Sequence, residues 1–239
     1  MLSEESKKAL EARYYPNVQD VVFGRFEAQL AARMHDGFRV LDAGSGPGTW
    51  ILQPHRKRLK LLMGADVYVP EATQLDAFVL ARCEQLPFAW GSFDMVVAYL
   101  VLEHLARPRL AFREFARVLR PGGYLVFKTP AVATPLFLLA RVLPTALHRR
   151  MKAPIGAAEA DVFPTYYRAN TLGRLRRDLA WAGFERDWLA LADQTYAYLA
   201  HSRWTYALGL FYSRLTGLPG LGWLRNQIIG IYRRAEDAP

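Results

Sequence analysis

Apolar and polar positions follow one another along this chain in blocks that read alternately as strands and helices. Phe38, Val40 and Leu41 form a short apolar run, which predicts a strand at 38–42 and a helix at 48–57 behind it. Leu59 to Ala65 reads as a second buried strand, and a short connection, 69–76, leads to a third at 77–81. Phe93 to Ala98 is a fourth. Leu110, Ala111, Phe115 and Val118 recur at helical spacing and predict an amphipathic helix over 108–119, stopped by Pro121-Gly122. Tyr124 to Lys128 is the fifth strand. Two helices precede this series, at 3–13 and 18–34, the second with Phe23, Phe26, Leu30 and Met34 on one face. An apolar segment at 135–151 follows it. Then come a helix from Asn170 or Thr171 to Ala182, a strand at 184–192, and a stretch at 196–232 rich in Trp, Tyr and Leu. Such alternation implies an α/β fold around a doubly wound, mostly parallel sheet. Its ligand crevice lies at the carboxyl ends of the strands.

The loop after the first strand carries the chemistry. Asp42 ends that strand, and glycines follow at 44, 46 and 48. Glycine permits positive φ and removes side chains that would block a ligand, so amides of the loop and helix start can face one closely. A dinucleotide site spaces its glycines G-x-G-x-x-G. Here the third glycine comes one residue early, and Asp42 would repel phosphate but suit an ammonium group. Both points disfavour a nicotinamide-dependent oxidoreductase. Asp66 ends the second strand, where a carboxylate can accept hydrogen bonds from two ribose hydroxyls at once. Taken singly, the loop is also compatible with a tight turn, and Asp66 with a solvated strand end.

The segments downstream narrow the choice. They are Leu86-Pro87-Phe88, Ser92-Phe93-Asp94, Leu102-Glu103-His104 and Arg117-Val118-Leu119-Arg120-Pro121-Gly122-Gly123. In order and spacing, residues 36–130 resemble the class I S-adenosylmethionine-dependent methyltransferases, in particular the small-molecule (type 11-like) group. The resemblance implies a Rossmann-like, seven-stranded sheet with a helical C-terminal cap. It also implies S-adenosylmethionine as cofactor, a ligand that carries an ammonium, a carboxylate, a ribose and an adenine but no phosphate. Asp42, Ala43, Gly44 and Gly46 would then meet the amino-acid end, and Asp66 and Val67 the ribose. Cys83 and Glu84 would line the adenine, with Tyr99 and Leu100 beneath the sulfonium. Where relatives carry an aspartate for the adenine amino group, this chain has Arg82, which cannot accept a hydrogen bond. Recognition there shifts to backbone groups or Glu84. The N-terminal helices would lid the cofactor and bring Tyr15 towards it, although Tyr15 also suits plain packing.

Methyl transfer depends on alignment, and a base is needed only when the acceptor loses a proton. His104, just past the fourth strand, is the candidate base, with helix-start packing as its other role. Glu103 is expected to cap or orient. A chain of 239 residues, 52% hydrophobic, can build one sizeable core with an appended cap. We divide it into an N-terminal helical lid (1–35), a cofactor-binding core (36–130) and a remainder holding the rest of the sheet and an apolar, basic tail (131–239). The single Cys83 excludes an internal disulfide framework and suits a reducing compartment. No Cys/His cluster has metal-ligand spacing, and the first 35 residues lack a signal-peptide core. We therefore expect a cytoplasmic protein without a metal.

The net charge of +9 is uneven: 16 Lys and Arg stand against 14 Asp and Glu up to residue 127, and 15 against 8 beyond it. That excess suggests an anionic partner. Tryptophan and leucine beside Arg203, Arg214 and Arg225 suggest peripheral contact with the inner face of an anionic membrane, or burial in a cap or homodimer. The expected acceptor is a hydrophobic small molecule, such as a lipid, quinone precursor or polyketide-like compound. Two alternatives stand beside it: an RNA methyltransferase, suggested by the basic second half but lacking a base-flipping motif, and a non-catalytic S-adenosylmethionine-binding module.

Overall fold

The predicted strands form because their apolar runs are buried from both faces. In a computed structural model that describes residues 2–18, 23–134 and 163–236, β1 (Arg39–Ala43), β2 (Leu61–Asp66), β3 (Ala77–Leu80), β4 (Phe93–Tyr99), β5 (Leu119–Pro130), β6 (Phe184–Ala192) and β7 (Gln227–Arg234) form one sheet. Its order is β3-β2-β1-β4-β5-β7-β6, and every pairing from β3 across to β5 is parallel. Val40, Leu41, Leu62, Met95, Val96, Val97, Leu125 and Val126 are fully buried in it. The chain winds outward one way through β1, β2 and β3, then the other way through β4 and β5. The order therefore reverses between β1 and β4, the position at which sheets of this class bind ligands.

Helices α1 (Glu4–Tyr14), α2 (Arg25–Arg33), α3 (Pro108–Val118), α4 (Leu172–Trp181), α5 (Thr195–Tyr198) and α6 (Arg203–Leu215) accompany the sheet. The described residues divide into two compact units. One holds 27–130, 165–190 and 228–236 and includes most of the sheet; the other holds 2–18, 23–26, 131–134, 163–164 and 191–227. In the second, Leu10, Val18, Tyr196, Ala200, Tyr206 and Leu210 form a small core. Tyr15 packs against that core. Gly209 lets α6 approach α5, since a Cβ there would lie 2.5 Å from the Tyr196 Cα.

Several elements differ from the sequence reading, each for a local reason. The helix at 48–57 is a 3-10 helix, Trp50–Arg58; Pro54 inside it has no N–H to give. Helix α3 stops at Val118, and β5 begins at once with Leu119 and carries Pro121-Gly122 within it. A register shift in its pairing with β4 accommodates that pair. The stretch read as tail contains β7, whose Ile228, Ile229 and Ile231 are buried. The connection between β2 and β3 holds no helix, which leaves Leu80 60% exposed on the edge strand. The apolar segment at 135–151 lies outside the described residues. Among those described, no helix is long and apolar enough to cross a membrane, and no group of three His, Cys, Asp or Glu could hold a metal ion.

Candidate active site

Parallel pairing aligns the carboxyl ends of β1, β2 and β4, and Asp42, Ala43, Asp66, Val67 and Tyr99 lie there together. The glycine loop between them is held by its own protein. Gly44, Gly46 and Gly48 all have positive φ, of 72°, 48° and 121°. A Cβ on Gly44 would lie 2.4 Å from Val101 Cγ2. The amides of Gly44 and Ser45 donate to the Ala65 carbonyl, that of Gly48 to the Ser45 carbonyl, and that of Gly46 to Asp66 Oδ2 at 2.8 Å. Thr49 closes the loop by donating its amide to one Asp42 oxygen and its hydroxyl to the other, both at 2.7 Å. The amides expected to face a ligand are thus already engaged.

This arrangement has an electrostatic consequence. Asp42 is fully buried, and burial outweighs its two bonds from Thr49, pushing its carboxyl up to about 6. Asp66 also accepts from the Val67 amide at 2.6 Å. In this structure both carboxylates brace the loop. Neither Thr49 nor its bond to Asp42 was read from the sequence, although a threonine directly after Gly48, at the N-cap of the Trp50–Arg58 helix, is a residue type favoured at helix starts.

A second polar group gathers at the ends of β4 and β5. Lys128 is buried on β5 and donates to the Tyr99 hydroxyl at 3.0 Å. Burial lowers the lysine to about 8 and raises the Tyr99 phenol to about 12, against a bond from Trp50, whose ring meets that of Tyr99 edge-on. Leu100 holds φ 59°, a left-handed conformation rare for a non-glycine residue. Buried Glu103 accepts from Thr129 at 3.0 Å, Thr129 from Asn170 at 2.6 Å, and the Asn170 carbonyl oxygen has no partner. Burial raises the Glu103 carboxyl, and neighbouring His104 acts against that rise. His104 sits half-buried in the 3-10 turn Leu102–His104. Lys128, Thr129 and Asn170 were missed as site residues; the signal was a lone lysine ending the apolar run Leu125-Val126-Phe127 within a buried strand.

Cys83 and Glu84 follow β3. Cys83 is buried, and its thiol is pushed up to about 12, which leaves it inert as a nucleophile. Glu84 pairs with Arg82 at 3.6 Å through one oxygen. Its other oxygen is buried without a partner, and the side chain borders a cleft of about 440 Å³ with Trp90, Arg113 and Trp181. The Leu86-Pro87-Phe88 segment is pinned to α3. Arg117 donates to the carbonyls of Leu86 and Phe88, and Glu114 accepts from the Leu86 amide. On the same unit Arg107, Arg109, Arg168, Arg174, Arg177 and Asp178 line an open cleft of about 510 Å³.

Comparison with known proteins agrees with the fold. A family model described as a methyltransferase domain matches residues 41–127. Over 130 residues the chain is 35% identical to a malonyl-[acyl-carrier protein] O-methyltransferase of Laribacter hongkongensis, a match covering 47% of this chain and 44% of that one. Over 122 residues it is 30% identical to a tRNA U34 carboxymethyltransferase of Syntrophotalea carbinolica, covering 46% and 37%. The chain thus spans less than half the length of these curated relatives. Among solved structures, an S-adenosylmethionine-dependent methyltransferase of Methanosarcina mazei superposes with a TM-score of 0.55 at 19% identity, over 87% of this chain and 97% of that one.

Proposed function

We propose that this chain, which belongs to the class I S-adenosylmethionine-dependent methyltransferases, is an enzyme that methylates a hydrophobic small molecule of lipid, quinone-precursor or polyketide-like type. The observation that carries this reading is the loop after β1, with its amides spent internally and two carboxylates beside it. A phosphate would need those amides. A ligand with an ammonium group and a ribose diol needs acceptors and close backbone approach, which Asp42, Asp66 and the glycines offer. The buried, partnerless Glu84 oxygen is an acceptor of the kind an adenine amino group, a donor, would need.

S-adenosylmethionine, when bound, supplies an electrophilic methyl group. Ala43, Gly44 and Gly46 would give its amino-acid end room, Asp66 and Val67 would meet the ribose, and Cys83 would lie towards the adenine. Tyr99 and the constrained Leu100 form the floor on which acceptor and methyl are aligned, and alignment contributes most to a displacement of this kind. His104 removes a proton from acceptors that carry one, within about 10²- to 10⁴-fold of rate. Glu103 holds the turn that presents it.

Incubating the protein with methyl-labelled S-adenosylmethionine and cell extract tests the reading: label is expected in the solvent-extracted fraction. His104→Ala is expected to slow that transfer while calorimetric cofactor binding persists. Binding without label in any fraction would leave a non-catalytic module. An RNA acceptor is the second reading, favoured by the five arginines around Asp178. It predicts label in RNA and transfer that falls steeply with added salt.

A further inference from the structure

Helix α6 turns two different faces to its surroundings. Tyr206, Gly209, Leu210 and Ser213 are buried within its own unit, and Tyr206 donates to Glu11 on α1. The opposite face is apolar too. Trp204 is 87% exposed, Leu208 and Phe211 62%, and Leu215 37%. These four recur at helical spacing and make one outward stripe. Leu218 and Trp223 lie just beyond it, more than half exposed. Single exposed apolar residues need no explanation, but a contiguous run of this size marks a surface that meets something.

Charge identifies the occupant. From 194 to 226 the sequence holds no Asp or Glu, and Arg203 and Arg214 stand exposed at the two ends of α6. Arg225 is committed to the carbonyls of Thr216 and Leu191. Helix α6 is too short to span a bilayer; 13 residues reach about 20 Å. Its aromatic residues suit the headgroup boundary, where an indole keeps its N–H wet and its ring in acyl chains. Ser202 and Thr205 cap its N-terminus reciprocally, so the stripe is preformed.

We propose that the Trp204-Leu208-Phe211-Leu215 face of α6 is an interfacial docking surface for an anionic lipid bilayer, with Arg203 and Arg214 on its headgroups. This goes beyond the methyl-transfer reading and does not depend on it. The test uses the full chain with vesicles of phosphatidylcholine, alone or with one-quarter phosphatidylglycerol. Wild type is expected to sediment with the anionic vesicles and to be released by high salt. Removing each arginine (Arg203→Gln, Arg214→Gln) is expected to weaken partitioning about fivefold. Trp204→Glu with Phe211→Glu is expected to abolish it at an unchanged melting temperature, whereas Trp90→Ala, on the other unit, leaves it intact. Equal sedimentation of wild type and the double variant would overturn the proposal. So would a wild-type dimer that the double variant dissociates without vesicle binding, since a second copy would then cover the face. A melting temperature lowered by the double variant would overturn it as well, by placing the stripe inside this chain's own packing.

Discussion

The two ends of the crevice are built on opposite plans. At β1 and β2 each loop amide from Gly44 to Gly46, and those of Gly48 and Thr49, has a protein acceptor, and both aspartates brace the loop. At β4 and β5 a buried lysine, a buried glutamate, a strained leucine and an orphaned amide oxygen crowd together. The first end is held in place before any ligand arrives, so it offers shape and two carboxylates already fixed in position. The second holds charge out of water at a cost, which its own bonds only partly offset. Changes to the glycine loop at the first end should therefore act on cofactor affinity, while each end, holding one buried ionisable group, should show its own response to pH.

Gly44→Ala should have the largest effect. The new Cβ would lie 2.4 Å from Val101 at a φ of +72°, which combines overpacking with left-handed backbone strain. We expect a loss of about 2–4 kcal/mol of stability and no measurable cofactor binding. Denaturant melts and calorimetry check the two together. A stable variant that binds normally would mean the loop is not the frame described.

The two ends should also titrate in opposite senses. Asp42 sits at about 6 against an ordinary value of 3.8. Between those values the folded chain holds a proton that the unfolded chain has lost. Its stabilisation is therefore complete below about 4 and disappears as pH rises through 6, by up to about 3 kcal/mol. Lys128 sits at about 8 against 10.5. There the unfolded chain holds the extra proton, so stability should rise between pH 8 and 10.5 by a similar amount. Denaturant melts across both windows would show the two slopes. Asp42→Asn should flatten only the acidic one and Lys128→Met only the alkaline one. If either variant flattened both, the two ends would be a single coupled network.

How much of this was legible in advance follows the range of the interactions. Strand β1, the glycine loop, Asp66 and α4 with its Thr171 cap are set by neighbours in sequence, and the residues announced them. Strand β7 was hidden because Ile228 to Tyr232 continue the apolar character of the helices before them, and only the vacant edge beside β5 selects a strand. The Asn170–Thr129–Glu103 chain links residues up to 67 positions apart by number. No periodicity reports such pairing. Asp42 was singled out in the sequence for a ligand's ammonium group, whereas its bond to Thr49 depends on a loop geometry that exists only after folding.

The smallest effect bears most directly on the division between frame and charge. Asp66 accepts from Gly46 through one oxygen and from Val67 through the other. Asparagine keeps one acceptor and replaces the second with an amide donor, which would face a backbone N–H. Asp66→Asn should therefore cost about 1 kcal/mol of stability from one lost bond. If Asp66 also receives the ribose, cofactor affinity should fall about tenfold, or roughly 1.4 kcal/mol, because a diol needs two acceptors. A loop brace alone predicts the stability loss without a comparable change in affinity once both are measured on the folded fraction. Adenosine, which carries the ribose but no amino-acid end, sharpens the result: its binding should suffer the same tenfold loss in Asp66→Asn, and none in Asp42→Asn.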